Sequence, residues 1–430
     1  MTTEASSGSG EGLLDELSWR GILHDATPGL RERLESGRPI AGYNGFDPSG
    51  PSLHVGHLIP VFGLLRFQRH GGQPVALVGG GTGMIGDPSG RSTERNLLDR
   101  ETLEANVASI RAQLEHFLDF TPGPNVALMV NNLDWLGELS LIDFLRDTGK
   151  HFTVPYMLSK DSVQTRMERG LSFTEFSYML LQAYDFWHLH RAFGVEVQMG
   201  GADQWGNITA GLELIRRTAG VGEDATDQPA HGLAYKLLLS PSGAKFGKSE
   251  GGESVWLDAK QTSPFAFYQY WLNTDDRDVG TYLRWFTELP REEIERLDAE
   301  VAARPEAREA QRALARDITV RTHGEDGLRE AEASTNAVFG QGLVGLSAEA
   351  LAALDPVPLA VDASWTAAGT AVAIGAVSSN GEARRLVSQG GLYINDERVT
   401  DPNAPLPEPL HGRFWVIRTG KKNTRILERA

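Results

Sequence analysis

Two histidines, His54 and His57, lie three residues apart in the stretch Asp47-Pro48-Ser49-Gly50-Pro51-Ser52-Leu53-His54-Val55-Gly56-His57. Val55, Leu58, Ile59, Phe62 and Leu65 recur around them at helical spacing and give the segment a core face. Ser52 is placed to be its N-cap. Residues three apart share a helix face, and a first helical turn offers unpaired N–H groups and the positive end of a dipole. The pair is therefore placed to meet an anion, above all phosphate oxygens gaining charge in a transition state. A purely structural pair stays open at this point. A metal site is disfavoured because the chain has no Cys and no acidic partner follows at ligand spacing. A His-Glu-x-x-His protease is excluded, since the Glu is missing.

Other polar groups recur with a spacing that chemistry could use. Tyr178, Gln182 and Asp185 fall at i, i+4 and i+7 of a segment opened by Ser172 and Glu175, a capping box. They make either a solvated helix face or the wall of a pocket for a small polar ligand. Gly200-Gly201-Ala202-Asp203-Gln204 closes an apolar strand, with Asp203 able to accept from ribose hydroxyls and Gln204 able to bond an amino acid. Lys245, Lys248 and Ser249 sit in a glycine-flanked loop, residues 237–252, that could bring two ammoniums and a hydroxyl onto a polyphosphate. A surface loop rich in lysine is the plainer alternative. Arg216 and Arg217 end one helix, and Arg384, Arg385, Lys421 and Lys422 lie in a basic tail. Each is either a solvated charge or an RNA contact.

The elements that must position these groups read as an α/β chain. Residues 39–46, 74–78, 126–130 and 195–199 are strands, alternating with helical segments such as 101–118 and 139–148, a pattern that predicts a parallel, doubly wound sheet. Gly81-Thr82-Gly83-Met84-Ile85-Gly86 fits G-x-G-x-x-G, but Asp87-Pro88-Ser89-Gly90 continues the turn where a dinucleotide fold would open a helix. From Ser263 the pattern turns helical, at 264–272, 278–286, 291–302 and 304–323. Residues 339–374 read as a linker with one short helix, followed by a basic helix and a hairpin about Asn395-Asp396.

With 430 residues, two or three domains are expected. The absence of Cys excludes disulfides and fits a reducing cytoplasm. No stretch approaches the roughly 20 apolar residues of a membrane span. The net charge of −16 argues against a nucleic-acid partner for the whole surface. From Ala371 onward, however, nine Lys and Arg outnumber six Asp and Glu, which permits a local RNA-binding face.

Taken together, these stretches resemble a known family. His54-Val55-Gly56-His57 resembles the HIGH signature of class I aminoacyl-tRNA synthetases, and Lys245-Phe246-Gly247-Lys248-Ser249 resembles their KMSKS loop. Residues 42–57, 79–90, 172–186 and 200–207 look like the bacterial tyrosyl-tRNA synthetases in chain order, and residues 379–399 look like an S4-type RNA-binding domain. Val55 stands for Ile, and Phe246-Gly247 for Met-Ser. The resemblance implies a Rossmann-like catalytic domain at 31–249 after a disordered lead-in (1–30). A helical tRNA-binding domain (250–340), a linker (341–367) and an S4-like domain (368–430) would follow.

By the same resemblance, Tyr43 and Asp185 hold a tyrosine phenol; Asp87, Tyr178 and Gln182 bind its ammonium; and Gln204 lies near the carboxyl end. Ser49, His54 and His57 meet ATP phosphates, Gly201 and Asp203 hold the ribose, and Lys245, Lys248 and Ser249 close over pyrophosphate. ATP with Mg2+, L-tyrosine and tRNA-Tyr are the implied substrates. A cytoplasmic homodimer is implied as the working form, with no DNA or membrane partner. A tryptophan-activating relative, an RNA-binding protein on a retired synthetase scaffold and a dinucleotide-dependent enzyme are the alternatives.

Overall fold

The computed structural model describes all residues except 1–11, 87–98, 161–162, 165–166, 168–169, 223–224, 226–227, 239–245, 248–253, 337–342, 347, 353, 355, 361–364, 421–422 and 430. Two compact units emerge, one formed by residues 1–261 and 271–322, the other by 262–270 and 323–430.

The first unit is built on a six-stranded sheet: β1 (Leu23–Ala26), β2 (Ala41–Phe46), β3 (Gln73–Val78), β4 (Leu128–Asn131), β5 (Val195–Gly201) and β6 (His231–Tyr235), in the order β1-β6-β5-β2-β3-β4. All pairings are parallel except β1 with β6. The expected disordered lead-in 1–30 is overturned from Leu13 on, since helix Leu13–Trp19 buries Leu13, Leu14 and Leu17 and β1 joins the sheet. β3 and β6 are almost wholly buried, β3 through the apolar run Val75–Val78 that a central parallel strand requires. The chain leaves β2 for β3 on one side and later returns to β5 on the other. The carboxyl ends of β2 and β5 therefore form the switch point where such sheets bind ligands.

The expected capping box at Ser172 and Glu175 opens a 21-residue helix, Phe173–Phe193, which packs against helix Trp205–Ala219. Of the two readings of its polar stripe the inward one holds: Asp185 is 1 % and Tyr178 5 % exposed. The segment after β2 differs from expectation. Its N-cap is His54, a short 3₁₀ turn (Val55–His57) comes first, and the α-helix is Leu58–Arg69. Ser52 is not the cap; its hydroxyl donates to Leu53 O, with Gln113 Oε1 the alternative acceptor, and accepts from Asp258 N–H.

The helical stretch does not form a unit of its own. Helices Asp276–Phe286 and Arg291–Ala303 belong to the first unit, whereas Pro264–Leu272 and Glu309–Asn336 each run across the division. The expected helix 304–323 begins late because Pro305 starts a separate turn and Arg308 is left-handed (φ 50°). It also continues past His323, through a break at Gly324 (φ 73°, ψ 178°).

The second unit carries a five-stranded sheet, β7 (Val357–Leu359), β8 (Leu392–Ile394), β9 (Glu397–Arg398), β10 (Phe414–Thr419) and β11 (Asn423–Arg429), in the order β7-β11-β10-β8-β9. The β8–β9 hairpin turns at Asn395 and Asp396, both left-handed, as that dipeptide favours. The expected linker 341–367 departs most from its reading. β7 pairs in parallel with β11, and Leu343 and Leu351 share a core with Phe414, Val416 and Ile426. Among the described residues no helix is long and apolar enough to cross a membrane.

Candidate active site

A cavity of about 1010 Å³ opens at the carboxyl ends of β2 and β5. Of the residues singled out by sequence, its wall unites Tyr43, Ser49, His54, His57, Tyr178, Gln182, Asp185, Gly201, Asp203 and Gln204. Asp87, Lys245, Lys248 and Ser249 lie outside the described residues, as do Lys421 and Lys422.

At its floor the cavity is apolar, with a few buried polar atoms. Tyr43 on β2 is 1 % exposed, packs on Phe186 with ring centroids 5.4 Å apart, and is in register with Gln198 of β5. Tyr43 Oη and Gln198 Oε1 are both buried without a hydrogen-bond partner in the protein. A buried polar atom left in that state is unfavourable by about 1–3 kcal/mol, which a ligand's polar group would relieve. Burial, and then the charge of Asp185, push the Tyr43 hydroxyl well above its usual pKa. Asp185 itself is raised to about 7 by burial, against two hydrogen bonds that favour the carboxylate: Asn132 Nδ2–H donates to Oδ2 (2.8 Å) and Trp135 Nε1–H to Oδ1 (2.7 Å). Asn132 is held in turn by Gly81 N–H and bonds Thr82 Oγ1. This end of the cavity places the Tyr43 hydroxyl, the Gln198 amide oxygen and the Asp185 carboxyl beside the Phe186 ring.

The histidine turn forms another wall. Gly56 N–H donates to His54 Nδ1 (3.0 Å) and His54 N–H donates to His57 Nδ1 (3.1 Å). With Nδ1 accepting in each ring, the network assigns the proton to Nε2, so both imidazoles are neutral hydrogen-bond donors through that atom. The ring centroids are 4.0 Å apart. Gly56 is required here, because a Cβ would come within 2.7 Å of the folded-back His54 ring.

The distant loop reaches the same place. Leu53 and Val55 pair with the chain that leaves it: Val55 N–H donates to Val255 O, Leu257 N–H to Leu53 O, and His54 bridges Trp256. Gly247 lies so near the turn that a Cβ on it would be 3.8 Å from Val55 Cγ2 and 3.9 Å from Gly56 N. Its φ of +85° suits glycine alone. Of the second motif, Gly247 thus lies against the histidine turn.

Elsewhere on the wall, Gln204 Oε1 accepts from Asn207 Nδ2 (3.1 Å) and Gln182 Nε2 (3.4 Å), which fixes its amide. Gly201 leaves room for the Asp203 carboxylate, which would lie 2.4 Å from a Cβ there. Arg216 and Arg217 are both paired with Glu213, and Arg217 also donates to His151 O. Arg384 and Arg385 are exposed on helix Asn380–Ser388, opposite its buried Ala383 and Val387.

Sequence reading missed Asn132, Trp135, Gln198, Trp256 and Lys236 of this site. Asn132 had a signal, standing two residues past the carboxyl end of the predicted strand 126–130, and Gln198 lies inside a predicted strand. Nothing local marks Trp135 or Trp256, which are defined by what folds against them.

A sequence model described as "tRNA synthetases class I (W and Y)" matches residues 35–340, and one described as "Tyrosine--tRNA ligase SYY-like C-terminal domain" matches 364–427. The chain is 49 % identical over 427 residues to a tyrosine--tRNA ligase of Roseiflexus castenholzii, covering 96 % of this chain and 99 % of the relative. It is 48 % identical over 425 residues to that of Geobacillus stearothermophilus, covering 97 % and 100 %. Among solved structures, a C-terminally truncated mitochondrial tyrosyl-tRNA synthetase of Aspergillus nidulans superposes with a TM-score of 0.68 at 31 % identity, over 76 % of this chain and 94 % of the other.

Proposed function

Because this chain belongs to the class I tRNA synthetases of the tryptophan and tyrosine branch, and within them to the tyrosine--tRNA ligases, we propose that the cavity at β2 and β5 is the place where both steps of its reaction occur. L-Tyrosine and ATP give tyrosyl-adenylate and pyrophosphate; the tyrosyl group then passes to the 3′-terminal adenosine of tRNA-Tyr.

Tyr43 and Asp185 take the phenol, Tyr178, Gln182 and Asp87 the ammonium, and Gln204 the carboxylate end. The attacking carboxylate needs no general base, so the protein's task is alignment and stabilisation of charge on the phosphates. Two neutral Nε2–H donors, one on His54 and one on His57, suit that task, with Ser49 beside them. Gly201 and Asp203 take the ribose. Lys245, Lys248 and Ser249 face the departing pyrophosphate. Mg2+ enters with ATP as part of the substrate.

For tRNA, the exposed Arg384 and Arg385 are the proposed contacts, together with Lys421 and Lys422. Arg216 and Arg217 would have to exchange Glu213 for a phosphate. The working form is proposed to be a cytoplasmic homodimer. Its support is a set of exposed apolar side chains, Leu141, Ile142, Leu145, Val154 and Phe173.

The observation that carries the reading is that the orphaned Tyr43 hydroxyl and buried Asp185 share one cavity with the two-histidine turn, against which Gly247 lies. The test is amino-acid-dependent exchange of pyrophosphate into ATP. Exchange with tyrosine and none with tryptophan is expected; exchange that follows tryptophan, or none at all from folded protein, overturns it.

A further inference from the structure

Phe246 is the one loop residue between the two lysines, with Gly247, that the structure describes. Its ring lies parallel to Phe286, with centroids 5.3 Å apart and planes 2° apart. Tyr282 meets it at 5.4 Å and Trp271 at 6.2 Å. All three partners are at most 5 % exposed, so the ring is seated in a buried aromatic socket.

That socket is fastened to the helix behind the histidines by two independent contacts. Phe286 meets Phe62 edge-on at 6.2 Å. Arg66, on the same helix as Phe62, donates to the carbonyls of Arg284, Trp285 and Thr287 at the end of helix Asp276–Phe286. On its other side, Phe246 is bonded to Gly247, whose carbonyl accepts from Val255 N–H, and Val255 O accepts from Val55 N–H. Sequence-distant groups thus form a closed ring of contacts: histidine turn, helix, socket, Phe246, Gly247 and back to the turn.

We propose that Phe246 is a positioning residue for the activation step: its seat in the Trp271–Tyr282–Phe286 socket holds the Phe246-Gly247 peptide against the His54-Gly56-His57 turn and so sets the phosphate end of the cavity. Phe246 is not among the residues that line the cavity, and its ring contacts are Trp271, Tyr282 and Phe286. The inference rests on the functional reading above and adds a step-specific prediction to it. Pyrophosphate is bound and released only in the first step. Loss of the seat should therefore slow adenylate formation, while tyrosine binding and the later transfer are untouched. A ring that merely filled the core would, when removed, degrade all three together.

The experiment uses the full chain with Phe246→Ala, Phe246→Leu and Phe246→Tyr. Single-turnover formation of tyrosyl-adenylate, equilibrium binding of tyrosine, and transfer to tRNA-Tyr from the isolated adenylate complex are measured on each. Phe246→Ala is expected to slow adenylate formation more than fivefold, with tyrosine affinity and transfer changed less than fivefold. Phe246→Tyr, which keeps the ring, should restore the first rate to within fivefold of the parent. If the alanine variant does not fold, Phe246→Leu is judged by the same criteria. A first-step loss below fivefold, a matching loss in binding and transfer, or no recovery with tyrosine overturns the proposal. Parent protein inactive in tyrosine-dependent exchange would instead overturn the functional reading, so the two failures are separable.

Discussion

At the scale of single residues, Asp185 sets the most direct test. Its carboxyl, raised from 3.8 to about 7 by burial, is disfavoured as a charge in the unliganded protein. A raised acid leaves stability unaffected below about pH 4 and lowers it progressively as pH rises towards 7. Three units correspond to about 4 kcal/mol when ionisation is complete. A phenol donating to the ionised form makes a charge-assisted bond and pulls the pKa back down. Tyrosine affinity, measured without ATP, should therefore weaken as pH falls through about 7, and Asp185→Asn should bind weakly with a flat profile. A wild-type profile that is flat from pH 5.5 to 8 removes Asp185 from the phenol. His54 separates capping from chemistry. Asn is also a good N-cap, so His54→Asn should keep the thermal midpoint of the parent, whereas His54→Ala should lower stability by about 1 kcal/mol. Both should slow activation by about 3 kcal/mol, the usual effect of removing one transition-state donor, while tyrosine binding stays the same. Equal losses in rate and binding would count against the role. Residues of this kind were legible because their chemistry is written in type and spacing: His54 and His57 in one turn, Tyr178, Gln182 and Asp185 on one stripe. Trp135 was not, because its importance is a single hydrogen bond to Asp185 that only the fold creates.

At the scale of elements, the helix Leu58–Arg69 carries the histidines at one end and a fully buried arginine near the other. Arg66 is 1 % exposed, and burial lowers it to about 10 despite the opposing charges of Glu288 and Glu16. Arg20 shares its work, donating to Arg284 O and Thr287 O, so two guanidiniums gather the unpaired carbonyls that end helix Asp276–Phe286. Removing one partner of a buried charge pair costs up to about 3–5 kcal/mol, less here because Glu288 keeps its second partner, Arg69. Arg66→Met should show that loss in urea unfolding, and the Arg66→Met, Glu288→Gln double variant should recover part of it. Additive losses would mean that Glu288 is not the partner that matters. Helix and strand existence was largely readable from period, as in Phe173–Phe193 and the buried run of β3, whereas β6, His231-Gly232-Leu233-Ala234-Tyr235, carries no such run and was missed. What local pattern missed was backbone handedness: Arg308 and Gly324 divide a continuous-looking helical stretch. It also missed β7, whose three residues are a strand only because β11 lies beside them.

At the scale of the whole molecule, the chain is acidic and its partners must be met locally. The two-arginine face of helix Asn380–Ser388 predicts that Arg384→Ala with Arg385→Ala weakens tRNA binding, leaves tyrosine-dependent exchange intact and reduces the salt slope of binding by about 2. An unchanged slope would place the tRNA elsewhere. Self-association is the harder case, because two chains of −16 repel. At 0.15 M salt that repulsion is screened beyond about 8 Å, so a short-range apolar contact can prevail. The side chains for it are present: Phe173 is 80 %, Ile142 69 % and Leu141 68 % exposed. They extend from elements that share one core, where Phe144, Met157, Met179 and Leu180 pack together. Such exposure on a charged surface marks an interaction site. Sedimentation equilibrium at micromolar concentration should then give twice the chain mass of 46.9 kDa, and Ile142→Glu with Phe173→Glu should give the single mass. Added salt should leave the dimer intact or tighten it, since it weakens the repulsion and not the apolar contact. A dimer that salt dissolves would be held by ion pairs at some other surface, and a parent chain that sediments at 46.9 kDa would leave the patch without a second copy to cover it.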